Sequence, residues 1–294
     1  MEKVLELLTP AYGQCRLSYV SATQLKLAPY NGQNLNVGGL PQQIPAAGVT
    51  LANTGLSAST LYYVYAYMNA GVMTLEASAT GHSTSATGIE TKTGDTTRTL
   101  VGMCLTSASS QFVDDATNIH VLSYFGRQRK VGRAKFTTNR TLAASVGVFT
   151  EVHTEIRINF LTWADEPVRQ AICGGWTVTG AATGYGYANI DNDTSGQRAW
   201  CVTSANTTST LSSVDERVVS EGAHFGSLTG NCASGTNVLF SARNASGTVI
   251  NLNCTRATAS GTIQPGVDVA TITSSTFTGC TAPGGPVTVT QGGT

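Results

Sequence analysis

Charged side chains are scarce in this sequence. Asp, Glu, Lys and Arg make up 12% of 294 residues, and 17 basic residues balance 17 acidic ones. So neutral a chain lacks the long-range field that draws proteins to polyanions, which argues against nucleic acid and an anionic membrane surface as partners. The densest basic stretch, Arg127, Arg129, Lys130, Arg133 and Lys135, has no aromatic side chains interleaved for base stacking. It reads as a solvated linker rather than a polyanion contact.

Long apolar runs are missing too. Near the start, Val4, Leu5, Leu7 and Leu8 are interrupted by Glu6 and stopped by Pro10. That stretch is too short for a signal-peptide core or a bilayer span. It is expected instead to be a docking peptide or short helix over residues 1–12. No later run is long enough to imply membrane insertion. Synthesis in a cytoplasm, with release by lysis, is the expected route.

Signatures of bound chemistry are absent as well. There is no phosphate-binding GxxxxGK[ST] loop, no GxGxxG, no HExxH and no CxxC pair, so neither a cofactor nor a metal is expected. His153 and Glu155 share a strand face but lack the PCxxC partner of zinc deaminases. Asp191, Asn192 and Asp193 with Gly196 are rich in oxygen, yet lack the remaining spacing of an EF-hand loop and read as a turn. Asp165-Glu166 and Asp215-Glu216 invite comparison with a glycosidase carboxylate pair. Acids beside Pro or at strand starts are commonly turn formers and edge guards. No catalytic residue is expected.

What the sequence does hold is Thr, Ser, Gly, Asn and Ala, with 41% hydrophobic residues. That is too apolar for disorder and suits many short strands joined by turns. The segment from Arg16 to Leu27 alternates and reads as strand, followed by a turn at Asn31-Gly32. The sharpest signal is a hairpin, with strands Leu61 to Met68 and Val72 to Ala77 around Asn69-Ala70-Gly71. Within it Tyr63, Tyr65 and Tyr67 share one face. Such a row is either a partner or glycan surface or the cover of a core edge with wet hydroxyls. Residues 80–97 read as an exposed polar loop. Beyond the basic stretch, eight or more short runs separated by turns predict a sandwich or jelly roll.

Seven cysteines complete the inventory: Cys15, Cys104, Cys173, Cys201, Cys232, Cys254 and Cys280. An odd count leaves at least one thiol over. Their spacing allows both buried free thiols and disulfides, within or between subunits. The expected partition is a docking peptide (1–12), a β module (13–126), a linker (127–138), a second β domain (139–264) and an extended arm (265–294).

The block Gln14-Cys15-Arg16-Leu17, LKLAPYNGQNL, LANTGLSASTLYYVYAYMNAGVMTLEASATGHSTS and GIETKTGDTTRTLVGMC with QFVD resembles a tail-fibre-like module of phage and prophage virion proteins. The run from Ser220 to Phe225 is, more distantly, similar to jelly-roll heads of trimeric fibres. These resemblances imply an all-β virion protein, trimeric in the manner of fibres, held by other capsid, neck or tail proteins. Attachment to a host surface glycan is the implied role. A capsid or collar decoration protein, and a carbohydrate-binding or carbohydrate-hydrolysing domain, are the alternatives.

Overall fold

The computed structural model describes residues 13–140, 149–177, 182–193, 200–203, 208–234, 238–243, 249–263, 270–282 and 285–286. It is nearly all β, with several sheets, as composition and alternation imply. The docking peptide with Val4, Leu5, Leu7 and Leu8 lies outside the described residues.

The first unit opens with β1 (Cys15–Ser21), β2 (Gln24–Pro29), β3 (Asn34–Val37), β4 (Leu40–Gln43) and β5 (Val49–Ala52). It continues with β6 (Leu61–Asn69), β7 (Val72–Ser78), β8 (His82–Thr84), β9 (Glu90–Lys92), β10 (Asp95–Leu105), β11 (Asn118–Ile119) and β12 (Val121–Ser123). A three-stranded sheet β1-β2-β5 faces a six-stranded sheet of order β7-β6-β10-β9-β8, with β12 also on β10. Between them Leu17, Leu25, Leu27, Tyr62, Val64, Val101 and Phe112 form a dry core. The alternation of β6 dictates this, since Tyr62, Val64 and Ala66 all point into it.

The expected hairpin is present. Strands β6 and β7 pair in register from Tyr63↔Ser78 to Asn69↔Val72. Ala70 (φ 48°) and Gly71 (φ 83°) turn the chain in the left-handed conformation of a tight two-residue loop. The structure differs from expectation at two places. The strand expected from Arg16 to Leu27 is a hairpin that turns between Ser21 and Gln24. Residues 80–97 are not simply a loop, because β8 and β9 lie within them and extend the main sheet. Short, Thr-rich strands such as these carry too few apolar residues to announce themselves.

The second unit comprises β13 (Thr150–Glu151), β14 (Ile158–Thr162), β15 (Pro167–Thr177), β16 (Ala182–Ile190), β17 (Trp200–Thr203), β18 (Thr208–Val218) and β19 (Gly222–Ser234). Its sheet runs β11-β14-β19-β16-β17, with β13 on β19. The ribbon β15–β18 stacks on it: Leu211 packs with Val152 and Leu228, and Gln170 Nε2 donates to Ser227 O at 2.8 Å. Because β11 pairs parallel with β14 through Asn118↔Asn159 and Ile119↔Phe160, the end of the first unit supplies an edge strand to the second. The intervening residues 127–140 carry no regular strand.

The chain closes with β20 (Val238–Arg243), β21 (Val249–Ile263), β22 (Ala270–Ala282) and β23 (Gly285–Pro286), a four-stranded antiparallel sheet in that order. Residues 270–282, read as part of an extended arm, pair with β21 of the same chain. Their Ser/Thr-rich alternation suits a strand with little apolar surface to bury.

Candidate functional site

The tyrosine row does not form an open platform. Tyr65 is fully buried and its hydroxyl donates to Thr80 O at 2.8 Å. Tyr63 is half-buried, and Tyr67 lies under the Arg98 guanidinium, 4.6 Å from the ring centre. The cover comes from the second unit: Leu161 and Trp163 join Tyr65, Leu100 and Met103 in one buried cluster. Thus β6 is covered on both faces, and the face carrying Tyr63 and Tyr65 is a seam between units.

A polar node sits on this seam. The Tyr63 hydroxyl donates to Glu221 Oε1 at 2.8 Å. His82 places Nδ1 2.5 Å from Glu90 Oε2 and Nε2 3.0 Å from Glu221 Oε1. Aromatic edges enclose the imidazole, with Tyr63 at 5.4 Å and Trp163 at 6.2 Å between centroids. Burial, followed by the hydrogen bond to Glu221 and its charge, pushes the Tyr63 phenol up to about 12. Burial works against the Glu90 carboxylate, but hydrogen bonds from Thr84 and His82 outweigh it and lower its pKa. Trp163 is locked further, edge-on to Tyr124 at 5.2 Å and with Nε1 donating to Ser123 O at 3.3 Å.

A separate cleft of about 560 Å³ opens between the units. Thr106, Asn118 and His120 line it from the first unit, and Asn159, His224 and Phe225 from the second. Asn159 Nδ2 donates to Asn118 Oδ1 at 3.0 Å across the join. His120 is 8% exposed and neither ring nitrogen has a hydrogen-bond partner. Burial lowers its pKa against the opposing pull of Asp115 and Asp114, which favours the neutral ring. His224, by contrast, is held at both nitrogens, by Asp191 Oδ2 at 2.6 Å and Ser220 O at 2.8 Å.

The remaining candidates have structural occupations. Asp191 and Asn192 adopt positive φ, and Asp191 Oδ1 accepts from Phe225 N while Asn192 Oδ1 accepts from Ser227 Oγ. His153 Nδ1 accepts from Glu155 N at 3.0 Å, capping a single turn of 3-10 helix at Thr154–Ile156. Arg127 pairs with Asp165 and Glu166, and Lys130 with Asp114, so part of the basic stretch is already neutralised. Among the described residues no group of three or more His, Cys, Asp or Glu is placed to hold a metal. No helix among them is long and apolar enough to cross a membrane.

Cys15 and Cys104 are buried, unbonded thiols of the first core, and Cys173 is an exposed one. Cys201, Cys232, Cys254 and Cys280 are placed by strand register, while their side chains lie outside the described set.

The sequence did not point to His82, Glu90 or Glu221 as a group. The only local signal is the Thr84/Glu90 pairing of β8 with β9, and Glu221 lies 139 residues beyond His82. No family model, curated protein or solved structure matches the chain.

Proposed function

We propose that the protein is a non-enzymatic structural subunit of a bacteriophage particle, displayed on its surface as an oligomer and serving attachment. The observation that supports it best is the ribbon β15–β18. Its two strands, 11 residues each, are hydrogen-bonded to each other and, among the described residues, to no third strand. No residue of β15 is buried. Open ladders of this length are templates for pairing with another chain. Neighbouring copies are the natural occupants, as in a trimeric fibre. The virion setting itself comes from the resemblance of the first module.

Native mass spectrometry of the full chain, with labelled antibody imaging on intact particles, tests this. A trimer seen at the tail or a vertex supports the fibre reading, whereas uniform coverage of the head supports decoration instead. A stable monomer absent from particles overturns both.

The seam cleft favours a second reading, a glycan-binding unit. Its lining combines an aromatic ring with amide, hydroxyl and imidazole groups, a mixture suited to sugar hydroxyls and faces. A glycan array that stays blank for the wild type removes that reading.

A further inference from the structure

The fold sorts the seven cysteines by place. Cys15 and Cys104 share the first core, where burial pushes both thiols up to about 12 and withholds the thiolate needed for exchange. Cys173 stands unbonded on β15. On β16, Gly186 faces Cys201 across one edge and Gly184 faces Cys232 across the other. Two strand spacings alone put those cysteines about 9–10 Å apart, and the two-residue offset between Gly184 and Gly186 adds to this, well beyond the roughly 7 Å that a disulfide tolerates between Cα atoms.

Cys254 and Cys280 stand differently. They are opposed partners in the antiparallel ladder of β21 and β22. Directly opposed residues have Cα atoms about 4.5–5.5 Å apart and occupy the same face of the sheet. That spacing falls within the roughly 4.4–6.8 Å range of disulfides.

We infer that Cys254 and Cys280 form an intrachain, cross-strand disulfide that fastens β21 to β22. The oxidant is a low-molecular-weight disulfide. One cysteine thiolate attacks it, forming a mixed disulfide and releasing one thiol. The second cysteine thiolate then attacks the protein-bound sulfur and releases the other thiol. The protein loses two electrons and two protons, and the reagent becomes two thiols. The bond closes the end of the ladder next to β23, where Thr281 pairs with Pro286. It would tie a long ladder that has modest apolar content.

The test treats the purified full chain with oxidised glutathione, blocks remaining thiols with an alkylating reagent under denaturing conditions, and maps tryptic peptides by mass spectrometry. Cleavage after Arg256 puts the two cysteines on different peptides. The expected result is one linked pair, Cys254 with Cys280, that separates on reduction, with alkylated Cys15 and Cys104. Cys280→Ser should leave Cys254 alkylated or glutathionylated, with the strand signal in circular dichroism retained. Alkylation or glutathionylation of both cysteines in the wild type, or linkage of either to another cysteine or a second chain, would overturn the assignment.

Discussion

Glu221 lies 3.0 Å from His82 across the seam, and the same carboxylate oxygen accepts from Tyr63 at 2.8 Å. One side chain of the second unit therefore serves two partners of the first. Removing it takes the acceptor from the Tyr63 hydroxyl and from His82 Nε2, leaving the imidazole held by Glu90 alone. Glu221→Ala is expected to lower stability by about 1–3 kcal/mol in urea unfolding, the usual penalty for orphaned polar groups. Glu216→Ala, which breaks the exposed pair with Arg169, should stay within about 0.5 kcal/mol. Equal effects from the two variants would show that the node does not join the units.

Acid should weaken the fold through its carboxylates. Hydrogen bonds from Thr137 and Arg140 hold Glu155 down to about 2. Glu76 is lowered by Lys92 and Arg98 despite burial, and Glu90 by Thr84 and His82 despite burial. In the unfolded chain these groups take protons near 4.5, earlier than in the folded one. Between those pH values the unfolded state binds more protons, so stability falls as pH drops. The carboxylate contribution should be intact above pH 4.5 and decline toward about 2. Thermal melts across that range check this, and Arg140→Ala should make the decline shallower. An unchanged slope in that variant would rule out the Glu155 contribution.

The β6–β7 hairpin was legible because Tyr63, Tyr65 and Tyr67 alternate with Tyr62, Val64 and Ala66 and a Gly-containing turn follows. Period-two alternation says which residues share a face. It does not say what covers that face. Leu161, in a different sheet, and Trp163, just past the end of its strand, bury Tyr65 from far along the chain, so no local pattern could reveal the seam. The same holds for β22, where Thr and Ser dominate and only its register with β21 makes Cys280 meaningful. All-β character, by contrast, follows from composition and turn spacing, which are summed over the whole chain.

Trp163 is the apolar anchor of the seam. It is 2% exposed and packs with Tyr65, Leu100, Met103 and Leu161. Trp163→Ala should cost about 3–5 kcal/mol, as expected for deleting a buried indole. Because the indole ties β14 to the first unit, the unfolding transition should also broaden or split, with the first core outlasting the second unit. A single sharp transition with unaltered midpoint would contradict this placement of Trp163.

His120 offers the cleanest separation of a pH effect from the carboxylates. Its ring nitrogens are buried without partners, and burial is the main cause of its lowered pKa, with Asp115 and Asp114 opposing. The unfolded histidine takes a proton near 6.5, whereas the folded one takes it only at lower pH. In that window the unfolded state again binds more protons, so stability falls as pH drops below about 6.5. His120→Leu removes the titration and the unpaired polar atoms together. It should be neutral or stabilising near pH 7 and should flatten the upper part of the acid profile, leaving the carboxylate-driven decline below 4.5 in place. If the variant were instead destabilised by several kcal/mol at neutral pH, the imidazole would have to be hydrogen-bonded in the folded protein, because loss of an unpaired ring carries no such penalty.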